Sequence, residues 1–367
     1  MRPCRTQNYF PMLLRSQLLL VYCALAVFSV GTPDGVKAEL IVRPTKIVLD
    51  SPEASQQIIV SVLTENGRRD VTHEINLAVA NDSVATVQGS SIVRPRAEGR
   101  TEIAVTLDGE TVRVPVEVVK QLRPDPVSFR NEIIPILTKA HCNSGGCHGK
   151  AEGQNGFKLS IFGFDVESDY AALMKNGKGR RISLTQPETS LFLLKATSEM
   201  PHGGGRKIEE GSYRYQRVLR WIREGAGIDP EDSAAGQIVK IEVEPREQIL
   251  LGGWTQQLRV TAIDSSGVRR CVTVEAEYES NATPIANVDH HGLIQASDIP
   301  GEAAILVRYL GHVTSCRVTL PRPDVTFERP DEANFVDTHV WDQLARLGIE
   351  AGAAASESEF LRRGYLD

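Results

Sequence analysis

The chain has 367 residues, with 41 Lys and Arg against 47 Asp and Glu and a formal charge of −6. That length fits two or three domains, each able to bury a core. The acidic balance, with no block of Lys or Arg, argues against a nucleic-acid partner, and 41% apolar with 24% charged residues excludes wholesale disorder.

Residues 1–38 read as a signal peptide. Arg2, Arg5 and Arg15 precede the apolar run LLLVYCALAVFSV, and Val36-Lys37-Ala38 supplies the small-residue spacing of a cleavage site. As a helix that run would reach only ~20 Å, short of the ~30 Å hydrocarbon core, which disfavours an uncleaved anchor. The mature chain is expected to begin near Glu39, to be exported to the periplasm or cell surface, and to contain no membrane span. Export changes the meaning of the cysteines. Cys4 and Cys23 leave with the signal, so Cys142, Cys147, Cys271 and Cys316 remain. In an oxidising compartment each needs a covalent or metal-bound explanation.

Residues 39–120 alternate apolar and polar positions in short runs. Ile103, Val105 and Leu107 share a face, Asp108-Gly109 makes a tight turn, and Val112, Val114, Val116 and Val118 return in phase. The pattern predicts an all-β sandwich. It recurs over 238–321: SVATV (83–87) returns as PIANV (284–288), and GRTEIAVTLDGETVRVPV (99–116) as GEAAILVRYLGHVTSCRV (301–318). An opening strand with Pro, "NG…DVT", "ND-S-VATV", a glycine turn and a closing hairpin resemble the bacterial immunoglobulin-like group 2 family. That resemblance implies two domains acting as spacers or binding modules. In the second copy Cys271 replaces Asp70 and Cys316 replaces the inward Val114. Cys271 and Cys316 are either a cross-strand disulfide or two buried thiols.

Residues 125–228 carry helical signals instead. VSFRNEIIPILTKA puts Phe129, Ile133 and Ile136/Leu137 on one stripe, with Pro135 marking a kink or a first turn. SYRYQRVLRWIREG has Ser212 as N-cap, Tyr215, Val218, Leu219 and Ile222 as the buried face, and Gly225 as the stop. Between them lies HCNSGGCHGK (141–150). A c-type haem needs two thiols and a His directly after the second, and Cys142, Cys147 and His148 supply these. The spacer is four residues where two are usual, and Gly145 and Gly146 are expected to ease that longer loop through positive φ. Two other readings remain open. One is a zinc site using Cys142, Cys147, His148 and either His141 or His202. The other is a Cys142–Cys147 disulfide.

The ordered run of "I-PIL", the Cys-Cys-His element, QPETSLFLLKAT, MPHGGG and YQRVLRWIREGA resembles the cytochrome c-like domain of planctomycete exported multidomain proteins. The resemblance implies a small all-α module flanked by the two sandwiches, with haem c attached through Cys142 and Cys147 and its iron held by His148. The sixth ligand is expected in SEMPHGGG, from His202 or from Met200. Residues 330–367 resemble the opening of a domain of unknown function from the same proteins, cut short within its motif. The chain shows no Ser-His-Asp or nucleophile-elbow pattern, so an electron carrier is expected rather than an enzyme, its partner a redox protein or a cell-surface component. The alternative is a non-haem adhesion or scaffold protein.

Overall fold

The computed structural model describes residues 39–65, 67–229, 236–323 and 325–366. The predicted signal peptide lies outside the described residues.

The alternation over 39–120 folds into a sandwich of three antiparallel-dominated sheets. Its main sheet orders Ile47–Leu49, Glu110–Val118, Gly99–Leu107 and Asn76–Val79, with the first pair parallel. Leu40–Arg43, Ile59–Thr64 and Gly67–Asp70 form a second sheet, and Gln56–Gln57, Ile92–Pro95 and Ala85–Gln88 a third. Ile103, Val105, Val114, Val116 and Val118 close on one core with Ile47, Ile58 and Val60. The second copy repeats this order: Glu247–Ile249, His312–Leu320, Gly301–Tyr309 and Glu277–Ser280 make its main sheet, and two three-stranded sheets complete it. Both copies are immunoglobulin-like sandwiches, as the repeat predicts.

The hairpin turns show why the repeat keeps its glycine. Asp108 and Gly109 have φ of 49° and 83°, and Leu310 and Gly311 have 47° and 78°. Both central residues of a tight hairpin turn of this type need positive φ, which Asp-Gly meets at little cost and a leucine does not. Leu310 packs against the core of the second sandwich and also against that of the middle module. Contact on both sides explains an apolar side chain at an unfavourable backbone position.

The middle module has short helices joined by long turns. One π-helical turn, Phe129–Ile133, runs into α1 (Ile134–Lys139), with Pro135 in the first turn of α1, where its missing N–H costs nothing. α2 (Val166–Met174), α3 (Leu191–Ala196) and α4 (Tyr213–Arg223) follow. Ser212 caps α4 by accepting from the Tyr215 N–H, and the face Tyr215, Val218, Leu219, Ile222 is buried, as the spacing predicts. Phe129 sits edge-on to Tyr170 and against Trp221, each at 5.3 Å between ring centres. The all-α expectation therefore holds only as helices set in extended turn structure, with one isolated bridge between Gln154 and Phe157.

The three modules are bolted together rather than strung as spacers. Arg217 of α4 is buried and meets Glu275 of the second sandwich, Glu132 at 3.5 Å, and the Glu53 carbonyl of the first sandwich at 3.0 Å. Arg220 grips the Glu53 carboxylate through Nε at 3.0 Å and Nη2 at 2.8 Å. The sandwiches also touch directly. Asp70 accepts from Gln256 Nε2 at 3.0 Å and from the Gln257 N–H, and Gln248 Nε2 donates to the Arg68 carbonyl.

Lys139, the last residue of α1, donates to the carbonyls of Ala276 and His290 and lies over the Tyr278 ring at 4.9 Å. Burial, with Arg214 adding to it, pushes its ammonium down to about 8. An unfolded lysine keeps its proton to pH ~10.4. Between about pH 8 and 10 the unfolded chain thus binds more protons, and stability should rise with pH. Urea unfolding at pH 7.5 and pH 10 is expected to show a gain of about 2–3 kcal/mol that Lys139→Met abolishes. An equal gain in both proteins would show that Lys139 is not the group responsible.

Beyond the second sandwich, α5 (Phe335–Leu347) opens with an Asn334/Asp337 capping box and stops at Gly348. Neither it nor α6 (Glu357–Leu366) buries a residue. Among the described residues no helix is long and apolar enough to cross a membrane.

Candidate functional site

α1 ends in a motif that sets the Cys-Cys-His loop. His141 takes φ 56°, its N–H donates to the Thr138 carbonyl at 2.8 Å, and the Cys142 N–H reaches back to Leu137 at 2.8 Å. This paired closure ends the helix at a left-handed residue and turns the Cys142 side chain inward. Asn143, also buried, ties the loop down by donating to Thr138 Oγ1 at 2.9 Å. The Cys147 N–H donates to Ser144 at 3.0 Å and the His148 N–H to Cys142 at 3.0 Å, so the longer spacer closes on itself.

Which glycines matter here differs from the expectation. Gly145 and Gly146 do not have positive φ, and a Cβ on either would meet open space. The constrained one is Gly149, where a Cβ would stand 2.2 Å from the Asn143 carbonyl oxygen. Gly145 and Gly146 therefore keep the loop's outer side bare, while Gly149 lets it close.

His148 is half-buried. Its Nδ1 lies 3.0 Å from the Phe157 carbonyl, and its ring is 4.4 Å from the Phe157 ring. A carbonyl only accepts, so Nδ1 carries the proton and Nε2 presents a lone pair. Burial lowers the pKa of the imidazole, which favours that neutral form. His202 is held in the same way: its Nδ1 is 2.8 Å from the Gly205 carbonyl. The two rings lie 6.3 Å apart between centres and are inclined by only 8°. An imidazole nitrogen bonds a first-row metal at about 2 Å, and its ring centre lies ~1 Å beyond, so two imidazoles on one metal have centres about 6 Å apart. The separation, the paired tautomers and the bare glycines fit a metal centre with two axial imidazoles. Such orienting carbonyls are the usual supports of ligand histidines.

Met200 is exposed and its N–H bonds the Leu194 carbonyl, so it does not pack in the core. Cys142 is buried and its thiol is pushed up to about 12, chiefly by burial, while the charge of Lys207 works the other way. Cys147 is half-buried, and both thiols are free. The zinc arrangement is not assembled. Among the described residues no three His, Cys, Asp or Glu side chains gather as a metal set, and the exposed His141 exerts its charge on Glu277 of the second sandwich. Cys271 and Cys316 are free too. The Cys271 thiol accepts from the Gln57 N–H at 3.4 Å, across the contact between sandwiches, whereas Cys316 is buried within the main sheet opposite Ile305. They sit in separate sheets, which accounts for the missing bridge.

Sequence reasoning treated Arg180 and Arg181 alike, as surface charges. Arg181 is buried. It donates to the carbonyls of Ala172 at 2.9 Å, Asn176 at 2.7 Å and Gly156 at 2.7 Å, and lies over the Phe157 ring at 4.6 Å. It clamps the turn whose next carbonyl orients His148. Gly153 supports the same carbonyl: at φ 63°, a Cβ there would stand 2.5 Å from Phe157 O. NGKGRRI offers nothing local to tell the two arginines apart. The EGQNG run does signal a tight turn.

A cleft of about 320 Å³ on the second sandwich is lined by Glu242, Glu244, Arg246, Arg259, Thr261 and Arg269. Arg259 pairs there with Glu244, and Arg269 with Glu242 at 2.6 Å. None of the five predicted site residues lines it.

No family model matches the chain, and no curated protein matches it. Among solved structures it is similar to domains 4 and 5 of the S-layer protein SbsC, at 25% identity over 22% of this chain and 51% of that one, with a TM-score of 0.20. The chain thus spans about half the length of that structure. Domains 5–6 of the same S-layer protein are 12% identical over 77% of this chain and 98% of theirs, with a TM-score of 0.30. The Yersinia pseudotuberculosis adhesin InvE is 9% identical over 78% of this chain and 60% of its own, with a TM-score of 0.16. The immunoglobulin-like character stated above rests on the sheets of this chain.

Proposed function

We propose that the chain is an exported cell-surface scaffold protein. In this reading its two immunoglobulin-like sandwiches hold the middle module in a set orientation, and that module takes up haem c. The Arg217 contacts carry the scaffold part, because one buried side chain touches all three modules. The S-layer and adhesin structures named above are in keeping with it, and none of them bears on haem. The haem part rests on one observation: His148 and His202 stand parallel, 6.3 Å apart, each with Nδ1 tied to a main-chain carbonyl. In this reading His148 and His202 hold the iron, Cys142 and Cys147 carry the thioether links, and Met200 stays outside the coordination. A haem so held supplies reversible one-electron chemistry. The chain's own part is to fix both imidazole tautomers and to keep its loop glycines clear of the face between them.

Expression of the full chain with a cytochrome c maturation system tests this. A Soret band that survives acid-acetone extraction is expected. CO should bind the His202→Ala protein and not the wild type or Met200→Ala. A mature product without added tetrapyrrole, its Cys142 and Cys147 joined to each other, would leave the scaffold alone. CO binding by the wild type would remove His202 as a ligand.

A further inference from the structure

Residues 127–226 hold fifteen Lys and Arg against ten Asp and Glu, in a chain whose formal charge is −6. The excess is not used internally. In the sandwiches cations such as Arg69, Arg100, Arg113, Lys240 and Arg269 sit in ion pairs. In the module, Lys150, Lys175, Lys178, Arg180, Arg206 and Lys207 make no ion pair with a described carboxylate.

These six lie on the loops that frame the imidazole pair. Arg181 draws the 175–180 turn against the 153–157 turn through its bonds to Asn176 and Gly156. Phe157 of the latter holds His148. The charge of Lys150 is felt at His148 and that of Lys207 at Cys142, and a Cβ on Gly204 would be 3.3 Å from Lys207 Cε. Arg206 follows the His202 loop directly. Met200, 40% exposed, adds an apolar side chain two residues from His202. Unpaired cations around an exposed apolar group fit the anatomy of a protein interface, whereas a polyanion needs the cations alone.

We infer that the loops around His148 and His202 form a docking surface for a protein with an acidic face. This rests on the module's role proposed above only for its purpose; the surface exists whether or not haem is attached, so binding is measured on the full chain without haem. The probe is a purified acidic ferredoxin, with polyglutamate as a second arm. Binding to the ferredoxin should weaken at least tenfold between 20 and 300 mM salt. It should weaken by a similar factor in the Lys175→Glu/Lys178→Glu/Arg180→Glu/Arg206→Glu protein, all four sites being exposed. Met200→Ser should weaken ferredoxin binding several-fold and leave polyglutamate binding unchanged. Unaltered ferredoxin binding by a reversal variant with the wild-type circular dichroism and melting temperature would overturn the inference. So would a Met200→Ser protein that binds ferredoxin as the wild type does, since that would mark a polyanion surface. Failure to load haem, with these results intact, would count against the haem reading alone.

Discussion

Arg217→Leu is expected to lower the stability of the chain by about 3–5 kcal/mol, the range found when one partner of a buried ion pair is removed. The substitution keeps the side chain apolar and bulky, so little of the loss comes from a cavity. What remains is the problem of Glu275 and Glu132, both buried in the wild type. Burial acts against the charge on Arg217, yet Glu275, Glu132 and Glu53 outweigh it and raise its pKa; the carboxylates depend on it in turn. Without the guanidinium they must ionise in a poor environment or take up protons. The triple change Arg217→Leu/Glu275→Gln/Glu132→Gln should therefore recover much of the loss, because no charge is left unpaired. Calorimetry should show the middle module separating from the second sandwich in the single variant, as a split transition. A loss below about 1 kcal/mol, with one transition retained, would show that the cluster does not couple the modules.

Gly153→Ala should be the most damaging small change near the imidazoles, by about 2–4 kcal/mol. Two penalties coincide: a left-handed backbone, and a methyl placed 2.5 Å from Phe157 O and 2.8 Å from the Lys158 backbone. Relief requires that carbonyl to move, and it is the acceptor of His148 Nδ1. Nitrogen-15 shifts of the His148 ring should report a single Nδ1–H tautomer in the wild type and a mixture in the variant. Gly145→Ala is the control. Its Cβ meets open space at an ordinary φ, so stability should stay within about 0.5 kcal/mol. A Gly153→Ala protein with the wild-type tautomer would show that Phe157 does not orient the ring.

The amino-acid sequence by itself determined the two sandwiches and their hairpins. A period of two, a turn with glycine and a recurring register are local facts, and each dictates which face of a strand is buried. It also determined α4, whose cap, apolar stripe and stop lie within one short stretch. The Cys-Cys-His loop was legible as a chemical element for the same reason. Only the tertiary structure decided the rest. Arg181 and Arg180 are adjacent and chemically identical; their difference arises from three carbonyls brought together by folding. The parallel placement of His148 and His202 depends on two loops far apart in sequence. The burial of Arg217 and Lys139 depends on contacts between modules. Long-range electrostatic and packing partners leave no periodic trace in a chain, because each is selected by where the backbone returns rather than by its neighbours in sequence.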